Sequence, residues 1–291
     1  MSLPENPQFE TPPLSSEPQP APVVAHPLPP QFQPIAAPGA VENPVWSGWD
    51  VLRIAVLAVA SVAAFGVLLI LGAHILLPRS GGKGDAALPA ILAQFLAYVV
   101  VATYMVTLVE GKYRVAFWPA IRWNWPHSQW KMLSLGVLVL LAVSLLGRFL
   151  PMPKSTPFED LFTRPLDAYI MSVFAITFGP LMEELFFRGF LYPVLARRMG
   201  VAWGIFFTAL PFGLMHMFQY GYAWGVVLLI FLMGVVCTAV RATTGSVAAS
   251  FLVHVGYNAT DMLLLAVATG GFRHMEKAGV LLEGLKLATR Y

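Results

Sequence analysis

The chain has 291 residues, of which 57% are hydrophobic and only 11% are charged, and its formal net charge is +3. A soluble domain carries about a quarter charged residues, so this composition excludes an ordinary soluble protein and indicates a polytopic membrane protein. The few cations are scattered, which favours membrane lipids over nucleic acid as partners, and the single cysteine, Cys237, excludes an internal disulfide.

The first 45 residues differ in composition from the rest of the chain. They contain 13 prolines and neither lysine nor arginine. Such a segment cannot bury enough apolar surface to offset its conformational entropy, so residues 1–45 are predicted to be disordered. The tail at 271–291 is too polar to span a bilayer. The membrane domain is therefore predicted at 46–270.

Seven apolar stretches lie in this domain, each near the roughly 20 residues that a membrane-spanning helix needs. An eighth helix arises if one of the longer stretches divides. The predicted fold is an all-α, polytopic transmembrane helical bundle of seven to eight spans. The seven stretches are 51–77, 87–109, 131–150, 168–195, 200–219, 222–240 and 246–269.

The loop cations indicate an orientation. With the N-terminus in the cytoplasm, the cytoplasmic loops hold more lysine and arginine than the opposite loops, if the tail is left out. We therefore predict an integral protein of the plasma (cell) membrane with a cytoplasmic N-terminus.

Three charged residues interrupt the fourth stretch, in the sequence GPLMEELFFRGF. A charge at mid-helix costs roughly 2.5–3.5 kcal/mol on insertion scales, so such residues indicate either function or a structural ion pair. Glu184 and Arg188 are four residues apart and share a helix face, so we expect them to neutralise each other. Glu183 lies about 100° around the helix without a local partner. It is therefore the candidate general base.

Two more polar groups lie in later stretches. FGLMH ends at His216, and HVGYN places His254 and Asn258 four residues apart on one helix face. Each group alone is more simply a hydrogen-bonded helix contact than a catalytic group. Counted from the helix ends on one side of the membrane, however, these three residues and Glu183 lie about 14–24 Å deep. All four can therefore share one layer of the bilayer.

A carboxylate, two imidazoles and a carboxamide in one layer favour hydrolysis over helix packing. Glu183 would accept a proton from water, His216 would share or orient that water, and His254 with Asn258 would donate hydrogen bonds to the oxyanion. A zinc-bound water is the variant, with Glu183, His216 and His254 as ligands, although the chain has no HExxH helix.

Other intramembrane chemistries are less well supported. Ser250 lies one turn before His254 but has no GxSG-like turn around it. Asp261 is the only clear membrane aspartate and has no GxGD context, so an aspartyl pair is not predicted. We interpret Ser250 as a small packing residue. Asp261 is either a polar partner of the site or a residue near the end of its helix, and we favour the second interpretation.

The motifs EELFFR, FGLMH and HVGYN, in this order and each in its own apolar stretch, resemble the EExxxR, FxxxH and HxxxN motifs of the CPBP intramembrane proteases. That family includes the type II (Rce1-like) CAAX prenyl endopeptidases and the bacterial Abi and bacteriocin-immunity proteins. The resemblance covers roughly residues 150–260 and leaves the proline-rich N-terminus outside.

The resemblance implies an all-helical membrane domain of about eight spans around a conical cavity. It implies four catalytic residues and two supporting ones, namely Glu183, His216, His254 and Asn258, with Glu184 and Arg188 in support. The family is described both as metalloproteases and as metal-free glutamate proteases. The cofactor is therefore either a divalent metal such as zinc, held by Glu183, His216 and His254, or none.

We expect an intramembrane endopeptidase that hydrolyses a peptide bond of a membrane-associated peptide or protein, CAAX-like or lipidated, through a glutamate-activated water. The alternative is a non-catalytic scaffold or bacteriocin-immunity-type protein that binds a peptide or partner in the same cavity. A proton-coupled transporter is a third hypothesis, because buried Glu and His also relay protons. Four aromatic residues near the site are expected to face lipid rather than line a pocket: Phe186, Phe187, Phe190 and Phe212.

Overall fold

A computed structural model describes residues 42–76, 87–153, 156–157, 162 and 164–275. Helices make up 78% of these residues and none of them lies in a β-strand, which confirms the all-α class. Six of the described helices are long and apolar enough to cross a membrane. Residues 1–41 and 276–291 lie outside the described part, so the disordered segment at 1–45 and the separate tail at 271–291 stay predictions.

The helices follow the predicted stretches in chain order. Two π-helices, π1 and π2, continue α-helices without a turn between them. The bounds are α1 (Gly48–Leu76), α2 (Ala87–Val106), π1 (Thr107–Lys112), α3 (Phe117–Ala120), α4 (Gln129–Gly147), α5 (Pro165–Ile176), α6 (Phe178–Glu184), π2 (Leu185–Leu191), α7 (Tyr192–Met199), α8 (Val201–Met215), α9 (Trp224–Thr244) and α10 (Val247–Ala268).

The fourth span is a run of 35 residues, Pro165–Met199, that is interrupted at Thr177. Thr177 has φ −115° and ψ −74°, which separates α5 from α6. Pro180 follows in the first turn of α6, and since proline has no backbone N–H it cannot bond back to the carbonyl of Ile176, as a continuous helix would require. The long stretch therefore divides locally, as the sequence allowed, while its two parts still form one continuous span.

The fifth predicted stretch, 200–219, is shorter in the structure. Helix α8 has 15 residues and continues through Pro211, although the proline lies inside it. Fifteen residues rise about 22 Å, less than the roughly 30 Å of a bilayer core. His216 is consequently the first residue after the helix rather than a residue within it, and turns follow it as far as Tyr222.

Helices α4 and α10 approach each other closely because each presents a glycine to the other. The Cα of Gly136 faces the backbone of Val253, and the Cα of Gly256 faces the backbone of Leu133. A Cβ at either glycine would overlap those backbone atoms. Small residues allow this kind of approach between membrane helices. The contact fixes the position of α10, and with it that of the HVGYN motif.

Candidate active site

The three motifs that are distant in sequence meet around one carboxylate. Glu183 lies near the end of α6, His216 directly follows α8, and His254 lies in α10. Nε2 of His216 is 4.0 Å from Oε1 of Glu183, and Nε2 of His254 is 3.7 Å from Oε2 of the same residue. Two imidazoles therefore face the two oxygens of Glu183.

The other nitrogen of each imidazole is already occupied. Nδ1 of His216 lies 2.8 Å from the carbonyl oxygen of Phe212, and Nδ1 of His254 lies 3.0 Å from Oε1 of Glu184. A carbonyl and a carboxylate only accept hydrogen bonds, so each Nδ1 carries a proton and donates it. In the neutral imidazoles each Nε2 then presents a lone pair to Glu183. The site therefore contains several hydrogen-bond acceptors close together, and a water or a cation can bind between them.

Glu184 and Arg188 form the ion pair that their spacing predicts. Nη1 of Arg188 donates to Oε1 of Glu184 at 2.7 Å, and both side chains are fully buried. The same guanidinium donates from Nε to Oγ1 of Thr238 at 3.1 Å and from Nη2 to the carbonyl oxygen of Gly234 at 2.8 Å. Its carbon also lies 4.5 Å from the centre of the Phe212 ring. The buried charge is thus held by four neighbours.

The two adjacent glutamates differ in their access to solvent. The side chain of Glu183 is 16% exposed, whereas that of Glu184 is 0% exposed. Only Glu183 can therefore reach a water or a substrate. Glu184 acts on the site through His254, a contact between residues 70 positions apart that helix spacing could not have revealed.

The structure places Asn258 at the break in the fourth span. Its Nδ2 donates to the carbonyl oxygen of Ala175 at 2.7 Å, two residues before Thr177. Breaks in membrane helices persist where side chains satisfy the freed backbone groups. The sequence does not predict this contact, although Pro180 within the predicted stretch is a signal for a break nearby. The bond uses one of the two amide hydrogens of Asn258.

Residues 165–260 match the family model described as type II CAAX prenyl endopeptidase, Rce1-like. The matched part of the chain is called the Rce1-like domain below. It contains all three motifs and is consistent with the CPBP family that they resemble. The match supports CAAX-type intramembrane endopeptidase activity in general terms. No curated protein and no solved structure matches the chain significantly.

The predicted metal ligands of the Rce1-like domain form a chemically suitable set. Two imidazole nitrogens with free lone pairs and one carboxylate, from His216, His254 and Glu183, are the ligands that catalytic zinc sites use. A second group, Glu184, Cys237 and His254, has ligand atoms within 4.8 Å of one another. It suits a cation less well, because Oε1 of Glu184 already accepts from a guanidinium and from the protonated Nδ1 of His254.

The expectation that the aromatic residues of the motifs face lipid is wrong for three of the four. Phe187, Phe190 and Phe212 are buried within the Rce1-like domain, and Phe186 is partly buried. The rings of Phe187 and Phe212 meet edge to face with centroids 5.2 Å apart. These side chains pack inside the protein, beside the Arg188 guanidinium and along π2. They therefore stabilise the helices that carry the site and do not face lipid.

Proposed function

We propose that the Rce1-like domain hydrolyses a peptide bond of a membrane-associated substrate, with Glu183 as the base that activates water. One observation carries the proposal. His216 and His254 both direct Nε2 at the carboxylate of Glu183, while their Nδ1 atoms are fixed by Phe212 and Glu184. A structural cluster would need no such pair of open nitrogens around one accessible acid.

The first step is activation of the water. The distances of 3.7 and 4.0 Å from Glu183 to the two imidazoles exceed a hydrogen bond of about 3.2 Å, so the three groups leave a place for a water beside them. Nε2 of His216 accepts a hydrogen bond from this water and orients it. Glu183 accepts its other proton as the oxygen attacks the carbonyl carbon of the substrate, and later returns that proton to the leaving amine.

The second step is stabilisation of the oxyanion. In the metal-free variant His254 acts as an imidazolium, with a proton on Nε2 in addition to the one on Nδ1. Its Nε2 then donates to the developing negative charge, while Oε1 of Glu184 accepts from Nδ1 and stabilises the imidazolium. Arg188 keeps Glu184 ionised and in place. The second amide hydrogen of Asn258 is the proposed further donor, since Ala175 uses only one.

A divalent metal such as zinc fits the same residues. Glu183, His216 and His254 would hold it, and when bound it would supply an acidified water at neutral pH. Metal analysis of the purified active protein decides between this variant and the metal-free one, because a stoichiometric ion is expected only in the first.

An apolar groove supports a lipidated substrate. It has a volume of about 570 Å³ and lies between α2 and α5, with Phe174 and Phe178 of the run that leads to Glu183 in its wall. A groove lined by apolar and aromatic side chains suits an alkyl or prenyl chain. We therefore propose lipidated, CAAX-like tails as the substrate class.

The test is cleavage of a farnesylated CAAX peptide by the purified protein in proteoliposomes, beside the same peptide without its lipid. We expect cleavage of the lipidated peptide, and a loss of at least about 100-fold for Glu183→Gln, which is nearly isosteric. The variant should unfold at the wild-type temperature. Undiminished cleavage by Glu183→Gln would show that another group is the base.

The same variants separate the remaining hypotheses. A scaffold or immunity-type protein keeps its partner binding in Glu183→Gln and His216→Ala, but loses it when bulky residues fill the cavity. A proton-coupled transporter shows substrate flux that depends on a pH gradient across the proteoliposome, with no cleavage product.

A further inference from the structure

Two residues before α1, Glu42 and Trp46, contact the Rce1-like domain although they lie far outside the matched region. The segment Glu42–Trp46, called the N-terminal clamp below, contains the last four residues of the stretch predicted to be disordered and lies just before the first span. Its two end residues, Glu42 and Trp46, are both buried. Each contacts an element that carries or supports the candidate site.

Trp46 binds to π2, the π-helix that follows Glu183 and Glu184. Its indole Nε1 donates to the carbonyl oxygen of Phe190 at 3.0 Å, and the two rings pack with centroids 4.6 Å apart. Phe190 belongs to π2, the helix that also carries Arg188. The indole bond therefore ties the segment before α1 to this helix.

Glu42 forms an ion pair with a residue near the end of α9. Its Oε1 accepts from Nη1 of Arg241 at 2.8 Å. Arg241 is fully buried and lies one turn after Thr238, whose hydroxyl accepts a hydrogen bond from Arg188. Glu42 and Trp46 thus hold the two elements, α9 and π2, between which the buried guanidinium lies.

The Glu42 carboxylate is also linked to the start of α10, through Arg122. Oε1 of Glu42 also accepts from Nη1 of Arg122 at 3.0 Å. The backbone carbonyl of Arg122 accepts from the N–H of Val247, the first residue of α10, at 3.0 Å. Ser246, the N-cap of α10, donates its hydroxyl to the carbonyl of Asn124 in the same loop. The clamp is therefore connected to π2, which carries Arg188, to α9, which accepts hydrogen bonds from Arg188, and to α10, which carries His254.

We propose that Glu42 and Trp46 are positioning residues that hold π2, α9 and α10 in the register required by the site. The catalytic half of this proposal rests on the proposed function. Neither residue touches substrate. Their effect is to keep Oε1 of Glu184 within reach of both Arg188 and His254, and so to keep Nε2 of His254 directed at Glu183.

The test uses the full chain with Trp46→Phe, which keeps the ring but removes the donor, and with Glu42→Gln, which removes the charge. Trp49→Phe is the matched control, because Trp49 is 70% exposed whereas Trp46 is 3% exposed. Amide hydrogen exchange is measured in π2 and in the first half of α10. Turnover of the farnesylated CAAX peptide is measured as kcat and KM.

For Trp46→Phe we expect exchange in π2 to accelerate about fivefold, the size of one net hydrogen bond. We expect kcat to fall about tenfold with KM nearly unchanged, because misplacement of catalytic groups weakens the chemical step more than binding. Glu42→Gln should accelerate exchange at the start of α10 as well. The control should change neither quantity.

Unchanged exchange in both variants would overturn the proposal, and so would a fall in kcat that merely follows the loss of folded protein. Faster exchange with wild-type kcat would likewise show that the clamp stabilises the fold without positioning the site. If the wild-type protein cleaves no lipidated peptide, the proposed function fails separately. The clamp is then judged by exchange alone, where acceleration in π2 and α10 supports it and its absence overturns it.

Discussion

Nδ1 of His254 lies 3.0 Å from Oε1 of Glu184, and that oxygen also accepts from Arg188 at 2.7 Å. One buried carboxylate oxygen thereby links an ion pair within one span to an imidazole on another helix. The second glutamate of the motif is consequently more than a charge partner for the arginine. It determines which nitrogen of His254 faces Glu183.

The two glutamates should respond differently to the same substitution. Glu184→Gln leaves Arg188 buried without a counter-charge, so we expect a loss of about 3–5 kcal/mol in the free energy of unfolding. Glu183→Gln removes the base but breaks no ion pair with a permanent cation, so we expect a change within about 0.5 kcal/mol. Unfolding of both variants in the same detergent checks this, and equal destabilisation would contradict the assignment of the two roles.

Arg188→Lys should be costly although it preserves the charge. The guanidinium donates to Glu184, Thr238 and Gly234 from three different nitrogens, a geometry that a single ammonium cannot reproduce. We expect a destabilisation of about 2 kcal/mol or more. Arg53→Lys is the control, because Arg53 is 62% exposed and makes one ion pair at 3.3 Å, and its unfolding should be indistinguishable from wild type. A lysine tolerated equally at both positions would show that the charge alone matters.

Asn258 should matter for the shape of the fourth span. Asn258→Asp replaces the amide donor with a carboxylate that repels the carbonyl of Ala175, whereas Asn258→Ala only removes the bond. We expect both variants to accelerate amide exchange around Thr177, and the aspartate to do so by at least about tenfold, because it adds repulsion to a lost hydrogen bond. Exchange around Thr177 that matches wild type in both variants would show that the break persists without Asn258.

Much of the fold could be predicted because membrane spans depend on local composition. Each of the seven apolar stretches corresponds to helix in the described residues, within a few residues at most ends. The pairing of Glu184 with Arg188 was predictable for a similar reason, since spacing within one helix fixes which side chains share a face. The end of α8 at Met215 was not, because the apolar run continues past His216 while the helix does not.

Contacts between distant segments required the structure. The resemblance and a count of helix depth brought Glu183, His216 and His254 together as candidates, but neither indicated the bond from His254 to Glu184 or the anchoring of Asn258 at Ala175. The clamp was missed for another reason. Glu42 lies in a segment whose proline content predicts disorder, and nothing in its composition shows that Arg241 will be buried nearby.

The glycine contact between α4 and α10 should also determine the position of His254 in the site. Gly136→Ala places a methyl group against the backbone of Val253, the residue beside His254, so α10 must move away from α4. Overpacking of this kind costs about 1–3 kcal/mol, and the shift should also displace Nε2 of His254 from Glu183. We therefore expect a lower unfolding free energy together with a kcat reduced about tenfold or more. Gly66→Ala in α1 is the control, because a Cβ there meets no atom within 4 Å, and it should leave kcat unchanged without lowering the unfolding free energy. A destabilised Gly136→Ala protein that retains wild-type kcat would show that the helix contact stabilises the bundle without setting the position of His254.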